Sequence, residues 1–270
     1  MTRPLVTVVI CSYNGERYIT ETMDSVLAQT YDNMEVVIVD DGSFDKTVSI
    51  IEKYMQLDAR IRLFIRKNSG LAASRNFAFQ QARGEWVATV DQDDLCHPER
   101  LSKQIELVNR FPTAGLIFSG TNMIDDRGGY LSSRLSSYDL PDSFVKKGVA
   151  GELLITNGCY IGSAYFIKLT TINQVGKLDE SLRHACDYEY FIRVGLVNDF
   201  AFTRDNLVSW RSHSNQESVT NLNRFAEFRS VLLRNFWLSG LFSTRLTIIV
   251  KLGRSFGSEA YRKIRLYSKC

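Results

Sequence analysis

The chain has 270 residues, 44% of them hydrophobic and 23% charged. That is ordinary for a soluble globular protein able to bury one sizeable core or two smaller ones. The net charge of +3 is unevenly spread: residues 221–270 hold ten basic and two acidic side chains, +8, which leaves residues 1–220 at −5. Five irregularly spaced cysteines (Cys11, Cys96, Cys159, Cys186, Cys270), none in a CxxC pair, suggest neither a zinc ribbon nor a disulfide framework and favour a reducing, cytosolic compartment.

Val6 to Ile10 is a near-continuous β-branched run, read as a first strand rather than a signal peptide because polar residues follow at once. Ile19, Met23, Val26 and Leu27 recur at helical spacing within 16–30. Glu35 to Val39 is a second strand, stopped by Asp40-Asp41-Gly42-Ser43, and a helix carrying Val48 and Ile51 follows. Ile61 to Ile65 is a third strand. Leu71, Ser74, Ala78 and Ala82 suit a closely packed helix, and Trp86 to Val90 is a fourth strand. Beyond Pro98, Leu101, Ile105 and Val108 mark a helix, and Gly115 to Ser119 a strand. Residues 120–148 read as a long Gly- and Ser-rich loop, functional or mobile. Ile161 to Ile167 and Leu207 to Arg211 read as strands. Asp187, Tyr190 and Val194 share a helical face, and Phe225, Phe228 and Phe236 mark a helix from Arg224 on. No run is long enough to span a bilayer, and no internal repeat is evident.

Strands alternating with helices imply βαβ units and a parallel sheet, with all strand C-termini on one edge. Ligands bind beyond that edge in open sheets. Three of the first four strands end there in polar clusters: Ser12-Tyr13-Asn14, Asp40-Asp41 and Asp91-Gln92-Asp93-Asp94. Crowded carboxylates repel unless a positive charge sits among them. The last cluster is therefore either a site for a hard divalent cation or a polar turn into the next helix.

Taken in order, these clusters resemble those of the family 2 inverting glycosyltransferases. Val6 to Asn14 is similar to the family's opening strand and turn, and Ser25 to Thr30 to its first-helix signature. Val39 to Thr47 resembles its Asp-Asp-Gly-Ser-x-Asp-x-Thr motif, Asn68 to Asn76 its Asn-x-Gly…Ala-x-Arg-Asn motif, and Asp91 to Asp94 its Asp-x-Asp-Asp pattern. More loosely, His184 to Arg193 is similar to its Glu-Asp-x-Asp-Leu-x-x-Arg helix, with Cys186 for the first acid and Glu189 for the last. Trp210 to His213 resembles its Tyr-Arg-x-His segment.

The resemblance implies a GT-A fold: an α/β, Rossmann-like, mostly parallel sheet with helices on both faces, here with a C-terminal helical extension. Residues 1–220 would be the catalytic domain (1–115 the nucleotide-sugar half, 116–220 the acceptor half), and 221–270 a basic helical tail. By the same resemblance, Asp40 would accept a base ring's N–H, with Asp41 close by, and Ser12, Tyr13 and Asn14 would contact the nucleoside. Arg75 would sit near the diphosphate or hold the acidic cluster. Asp93, also near the ribose, would carry Mg²⁺ or Mn²⁺ with Asp94, and Asp91 would shape the turn. His213 would complete the metal shell or touch the diphosphate. Asp187 would be the base that deprotonates an acceptor hydroxyl. The segments 120–148 and 157–163 would face the acceptor.

The expected function is metal-dependent transfer of a sugar, with inversion, from a nucleoside-diphosphate sugar, a UDP-sugar foremost. The acceptor would be a glycan or lipid-linked hydroxyl in cell-surface polysaccharide synthesis at the inner face of the cytoplasmic membrane. Basic and apolar residues interleave in 241–270, as at a membrane surface; the alternative is a helix packed on the body or at a homodimer interface. No nucleic-acid motif accompanies them. Two competing readings are a nucleotidyltransferase, which lacks its Gly-rich basic loop here, and a non-catalytic nucleotide-sugar or membrane-binding subunit, against which the acids at 93, 94 and 187 argue.

Overall fold

The computed structural model describes residues 3–133, 143–157, 161, 165–214 and 224–238. The first half alternates β1 (Val6–Ser12), α1 (Ile19–Leu27), β2 (Met34–Asp40), α2 (Thr47–Leu57), β3 (Ile61–Ile65), α3 (Leu71–Gln81) and β4 (Trp86–Asp91). β1 pairs with β2 and β4, and β2 with β3, all in parallel. β2 is buried throughout and β1 nearly so, as a parallel strand covered by helices on both faces must be.

Side-chain alternation along the strands divides the apolar residues between two cores. Val6, Val8 and Ile10 join Val36, Ile38, Ile19 and Met23 on one face, together with Ile51 of α2. Val9, Val37, Val39 and Val87 join Ala72, Ala78 and Phe79 of α3 on the other. α3 lies close to the sheet because Ala72, Ala73, Ser74 and Ala78, all buried, are small.

The second half comprises β5 (Leu95–Cys96), α4 (Arg100–Arg110), β6 (Ala114–Ile124), β7 (Tyr130–Ser133), β8 (Phe144–Val145), α5 (Val149–Asn157), β9 (Phe166–Lys168), α6 (Leu169–Val175), α7 (Cys186–Val197), β10 (Asp199–Arg211) and α8 (Arg224–Leu238). The ten strands among the described residues form one sheet in the order β3-β2-β1-β4-β9-β6-β10-β5, with β7 added on β6 and β8 on β10. β9 is antiparallel to both β4 and β6, and β10 is parallel to β6. The sheet is therefore mixed but mostly parallel, with helices on both faces.

Two expectations need correction. Residues 120–148 are not one long loop: β6 runs on to Ile124, and β7 and β8 form within the segment. Polar residues such as Ser119 and Thr121 are buried in β6 because β10 pairs along its length. The strand expected at 161–167 is the short β9, and 158–160 and 162–164, like 134–142, lie outside the described residues.

α5 and α7 touch backbone to backbone at Gly151 and Gly195. A Cβ on Gly195 would sit 2.7 Å from the Gly151 amide nitrogen, so only glycine lets α7 seat at this depth. α8 docks on the same core through Val231, Leu232 and Phe228. Of the basic helical tail expected over 221–270, residues 221–223 and 239–270 lie outside the described residues. Among the described residues no helix is long and apolar enough to cross a membrane.

Candidate active site

Strand register brings the predicted clusters together. Ser12 pairs with Asp40 and Cys11 with Asp91, so the ends of β1, β2 and β4 lie level at one edge. The Asp-Asp-Gly-Ser turn is tightly bonded there. The Asp40 carboxylate, fully buried, accepts the Gly42 and Ser43 N–H groups at 3.2 and 2.8 Å and the Ser12 and Ser43 hydroxyls at 2.9 and 2.6 Å. Gly42 has φ +83°, a conformation that costs glycine nothing. Asp41, also buried, accepts the Ser69 and Gly70 N–H groups and the Ser74 hydroxyl at 2.8–2.9 Å, which anchors the start of α3.

Asn14 turns the chain with φ 49°, which asparagine tolerates. Its side chain accepts the Phe44 N–H at 3.0 Å, and its own N–H donates to Ser43 Oγ at 2.9 Å. Ser12, Asn14 and Asp40 thus tie the β1 and β2 loops together, while Asp41 ties the β2 loop to α3. Tyr13 instead stands 42% exposed, with its ring 6.2 Å from that of Phe44. Gln92, not singled out from the sequence, holds the Tyr13 backbone on both sides. Its Oε1 accepts the Tyr13 N–H at 2.9 Å, and its Nε2 donates to the Tyr13 carbonyl at 3.1 Å.

The Asp91 to Asp94 cluster is divided by its surroundings. Asp91 accepts from Arg75 Nη2 at 2.9 Å. Asp94 turns inward, fully buried, and its Oδ1 accepts the Arg211 N–H at 3.0 Å. Asp93 Oδ2 lies 2.9 Å from His213 Nε2. The meeting follows from β5, which pairs antiparallel with β10 (Ser209 opposite Leu95) and draws the turn against the strand's end. Asp93 and His213 are therefore together, and Asp94 bonds elsewhere. Among the described residues no group of three or more His, Cys, Asp or Glu is arranged to hold a metal.

A second layer fixes His213. Its ring lies 4.8 Å from that of Tyr18, and the buried Arg211 guanidinium covers the ring of Tyr18 at 4.9 Å. Arg211 also donates to the Asp93 carbonyl at 2.9 Å and to Glu21 at 2.7 Å. Tyr18 donates to Asp126, which also pairs with Arg17. Burial and the adjacent Asp126 push the Tyr18 phenol up to about 12. Sequence spacing could not have found Asp126, which is 108 residues from Tyr18.

Arg75 is the centre of the site. It is 1% exposed, and its two nitrogens reach Asp91 on β4 and Asp187 in the first turn of α7. Burial opposes its charge, but the carboxylates of Asp187 and Asp91 hold the guanidinium well above its ordinary value. Beside it, burial pushes the Cys11 thiol up to about 12, which removes Cys11 as a nucleophile. The neighbouring Asn76 accepts the Leu178 N–H at 2.8 Å and donates to the Leu178 carbonyl and to Glu180. Adjacent residues of α3 thus fix both the base candidate and the approach to its helix. In α7 Glu189 pairs with Arg193 at 2.6 Å, and Arg193 reaches the Val175 and Lys177 carbonyls. Cys186, in place of the acid the resemblance would lead one to expect, is buried in the core.

The candidate site thus combines a carboxylate and an imidazole in contact, Asp93 and His213, with two further carboxylates, Asp91 and Asp187, bridged by a buried arginine. The chain is similar over most of its length to other glycosyltransferases. A family model for Glycosyl transferase family 2 matches residues 7–170, and the chain belongs to that family. It is 30% identical over 231 residues to an uncharacterised glycosyltransferase of Rickettsia typhi (84% of this chain, 70% of that protein). It is also 30% identical over 244 residues to one of Methanocaldococcus jannaschii (88% and 81%). A Rickettsia felis relative is matched over only 35% of its length. Over 107 residues the chain is 42% identical to the putative teichuronic acid biosynthesis glycosyltransferase TuaG of Bacillus subtilis (39% of this chain, 42% of that protein). Its fold is that of S. aureus TarS, solved with UDP-GlcNAc: TM-score 0.70, 20% identity, 93% of this chain and 72% of that one. The protein is a GT-A glycosyltransferase.

Proposed function

We propose that this enzyme inverts configuration as it transfers a sugar from a nucleoside-diphosphate sugar, a UDP-sugar foremost, to a hydroxyl of a glycan or lipid-linked acceptor in surface-polysaccharide synthesis. The observation that carries the reading is the Arg75 bridge, which sets Asp187 against Asp91 at the edge where β1, β2 and β4 end. The complex of TarS with UDP-GlcNAc and the name of TuaG favour the same donor and product class.

Asp187 takes the acceptor hydroxyl's proton as that oxygen bonds to the anomeric carbon. The bond from that carbon to the diphosphate oxygen breaks, and its electron pair leaves with the nucleoside diphosphate. Tyr13 and its neighbours receive the nucleoside. The Ser43 hydroxyl is the donor on Asp40 that a base N–H can replace, being a rotor shared with Asn14. Arg75 lies near the diphosphate and keeps Asp187 oriented.

Asp93 Oδ2 and His213 Nε2 are an O,N pair 2.9 Å apart. The two are within hydrogen-bond distance, and a carboxylate oxygen with an imidazole nitrogen is a donor set that Mg²⁺ or Mn²⁺ can take. These two residues would hold Mg²⁺ or Mn²⁺, and Asp94 would support from behind through Arg211. The ion would neutralise charge on the departing diphosphate.

The test is a panel of UDP-, dTDP- and GDP-sugars with and without Mn²⁺ or Mg²⁺. The expected results are metal-dependent nucleoside diphosphate release, loss of it in Asp93→Ala, and loss of transfer but retained UDP binding in Asp187→Asn. No release from any donor sinks the reading, and wild-type turnover by Asp187→Asn removes Asp187 as base.

A further inference from the structure

A single carboxylate outside the matched family segment governs how the base helix begins. Glu227 lies in the first turn of α8. Its Oε1 accepts the Arg183 N–H at 3.1 Å, and its Oε2 accepts the His184 and Ala185 N–H groups at 2.6 and 3.0 Å. Those are three consecutive amides, and the last belongs to the N-cap residue of α7. Asp187 follows two residues later. The N-cap itself, Ala185, has no side-chain oxygen, and no side chain of its own segment caps α7. Of the orphan donors that any helix start presents, the N-cap amide is thus met from another helix, 42 residues further on, and the two amides leading into it are held by the same carboxylate.

The anchoring is firm. Burial works against the Glu227 charge, but the three N–H donors outweigh it and hold the carboxyl below its ordinary range. α8 is kept in place by Val231 and Leu232 in the core, by Phe228 at 5.2 Å from Tyr188 of α7, and by Arg234 on Asp179 at 2.7 Å. Arg75 holds the Asp187 side chain, and Glu227 holds the backbone from which that side chain springs.

We propose that Glu227 is a positioning residue for the transfer reaction: by binding the amides of 183–185 it fixes the start of α7, so that the C-terminal helix α8 sets the reach of Asp187 toward the acceptor. The inference rests on Asp187 being the base. Displacing a base by about 1 Å can cost on the order of 100-fold in rate. Weakening the anchor should therefore cut kcat and leave donor affinity alone, because the donor loops belong to β1, β2 and β4.

The experiment uses the full chain with Glu227→Ala and Glu227→Gln, each also in an Asp187→Asn background. Rates are read as nucleoside diphosphate released to water from the panel's fastest donor, per UDP-binding site counted with UDP and Mn²⁺. That count removes any unfolded fraction. The expected result is a kcat about 10- to 100-fold lower in Glu227→Ala, a smaller loss in Glu227→Gln, which keeps an acceptor oxygen, and an unchanged donor KM. With Asp187→Asn already present, neither change should lower the residual rate further. Wild-type kcat per site in both variants overturns the proposal. So does an equal fold-loss with and without Asp187, which is the mark of a structural role. Wild-type turnover by Asp187→Asn alone fells the base assignment and this proposal with it. A dead Asp187→Asn beside a normal Glu227→Ala fells this proposal only.

Discussion

Gln92 occupies the variable position of the Asp-x-Asp-Asp pattern, yet its amide pairs with the Tyr13 backbone as a neighbouring strand would. The space for it comes from Gly15: a Cβ there would lie 2.2 Å from Gln92 Oε1. Gly15→Ala should therefore expel the amide, release the exposed Tyr13 ring and weaken UDP binding, with a stability loss of about 1 kcal/mol for the two hydrogen bonds given up. Gln92→Ala in the same chain should cost little more, because the amide's bonds to Tyr13 are already gone. Calorimetry on the two single variants and the double variant checks this, and simple additivity of the losses would rule it out. At this scale the sequence was informative where a motif is local. Ser12, Asp40 and Asp91 could be assigned to one edge because each ends a β-branched run. The split between Asp93 and Asp94 was not legible, since it depends on Arg211 and His213, more than a hundred residues away.

Among the elements, the parallel strands declared themselves through continuous apolar runs, and the irregular ones did not. β10 passes through Thr203-Arg204-Asp205-Asn206, which reads as a turn, yet it stays one strand by shifting register against β6 between Thr203 and Asn206. Gly120 makes room there, since a Cβ would meet Asn206 Oδ1 at 2.4 Å. Such a bulge is specified by the partner strand rather than by its own residues. α8 was predicted as a helix, but its contribution to α7 lies in tertiary contacts that periodicity does not carry.

Those contacts have a pH signature. Glu227 and Asp179 are both held below their ordinary values of 4.5 and 3.8: Glu227 by backbone N–H groups against the pull of burial, Asp179 by the Ser181 hydroxyl and then Arg234. A depressed carboxyl stabilises the fold fully above its unfolded value, and that stabilisation is lost as pH falls through its folded one. The thermal midpoint should therefore fall as pH drops below about 4.5, and less steeply in Glu227→Gln. An identical pH dependence in that variant would show that the anchor carries no linked proton.

On the scale of the whole molecule, the charge is divided between an acidic body and a basic C-terminal segment, +8 over residues 221–270. If the acceptor is lipid-linked, as proposed, such a segment has a use, because each basic side chain near an anionic membrane contributes about 1 kcal/mol. Full-length protein should bind phosphatidylglycerol vesicles at low salt and release them in 0.5 M salt, and deletion of residues 241–270 should abolish binding (vesicle flotation is the measurement). Equal flotation of the truncated chain would assign those residues to another role.

The Arg75 bridge also bears on how this site can change over generations. One guanidinium answers two carboxylates that arrive from different halves of the chain. Replacing either acid leaves the cation half-compensated in a buried place, and replacing the cation sets two anions against each other. Lysine is no neutral step, because it cannot present two fixed donors at once. Positions 75, 91 and 187 are therefore expected to be inherited as a set. Lineages that explore new sugars or acceptors should do so in the surrounding loops, where single exchanges can be survived one at a time.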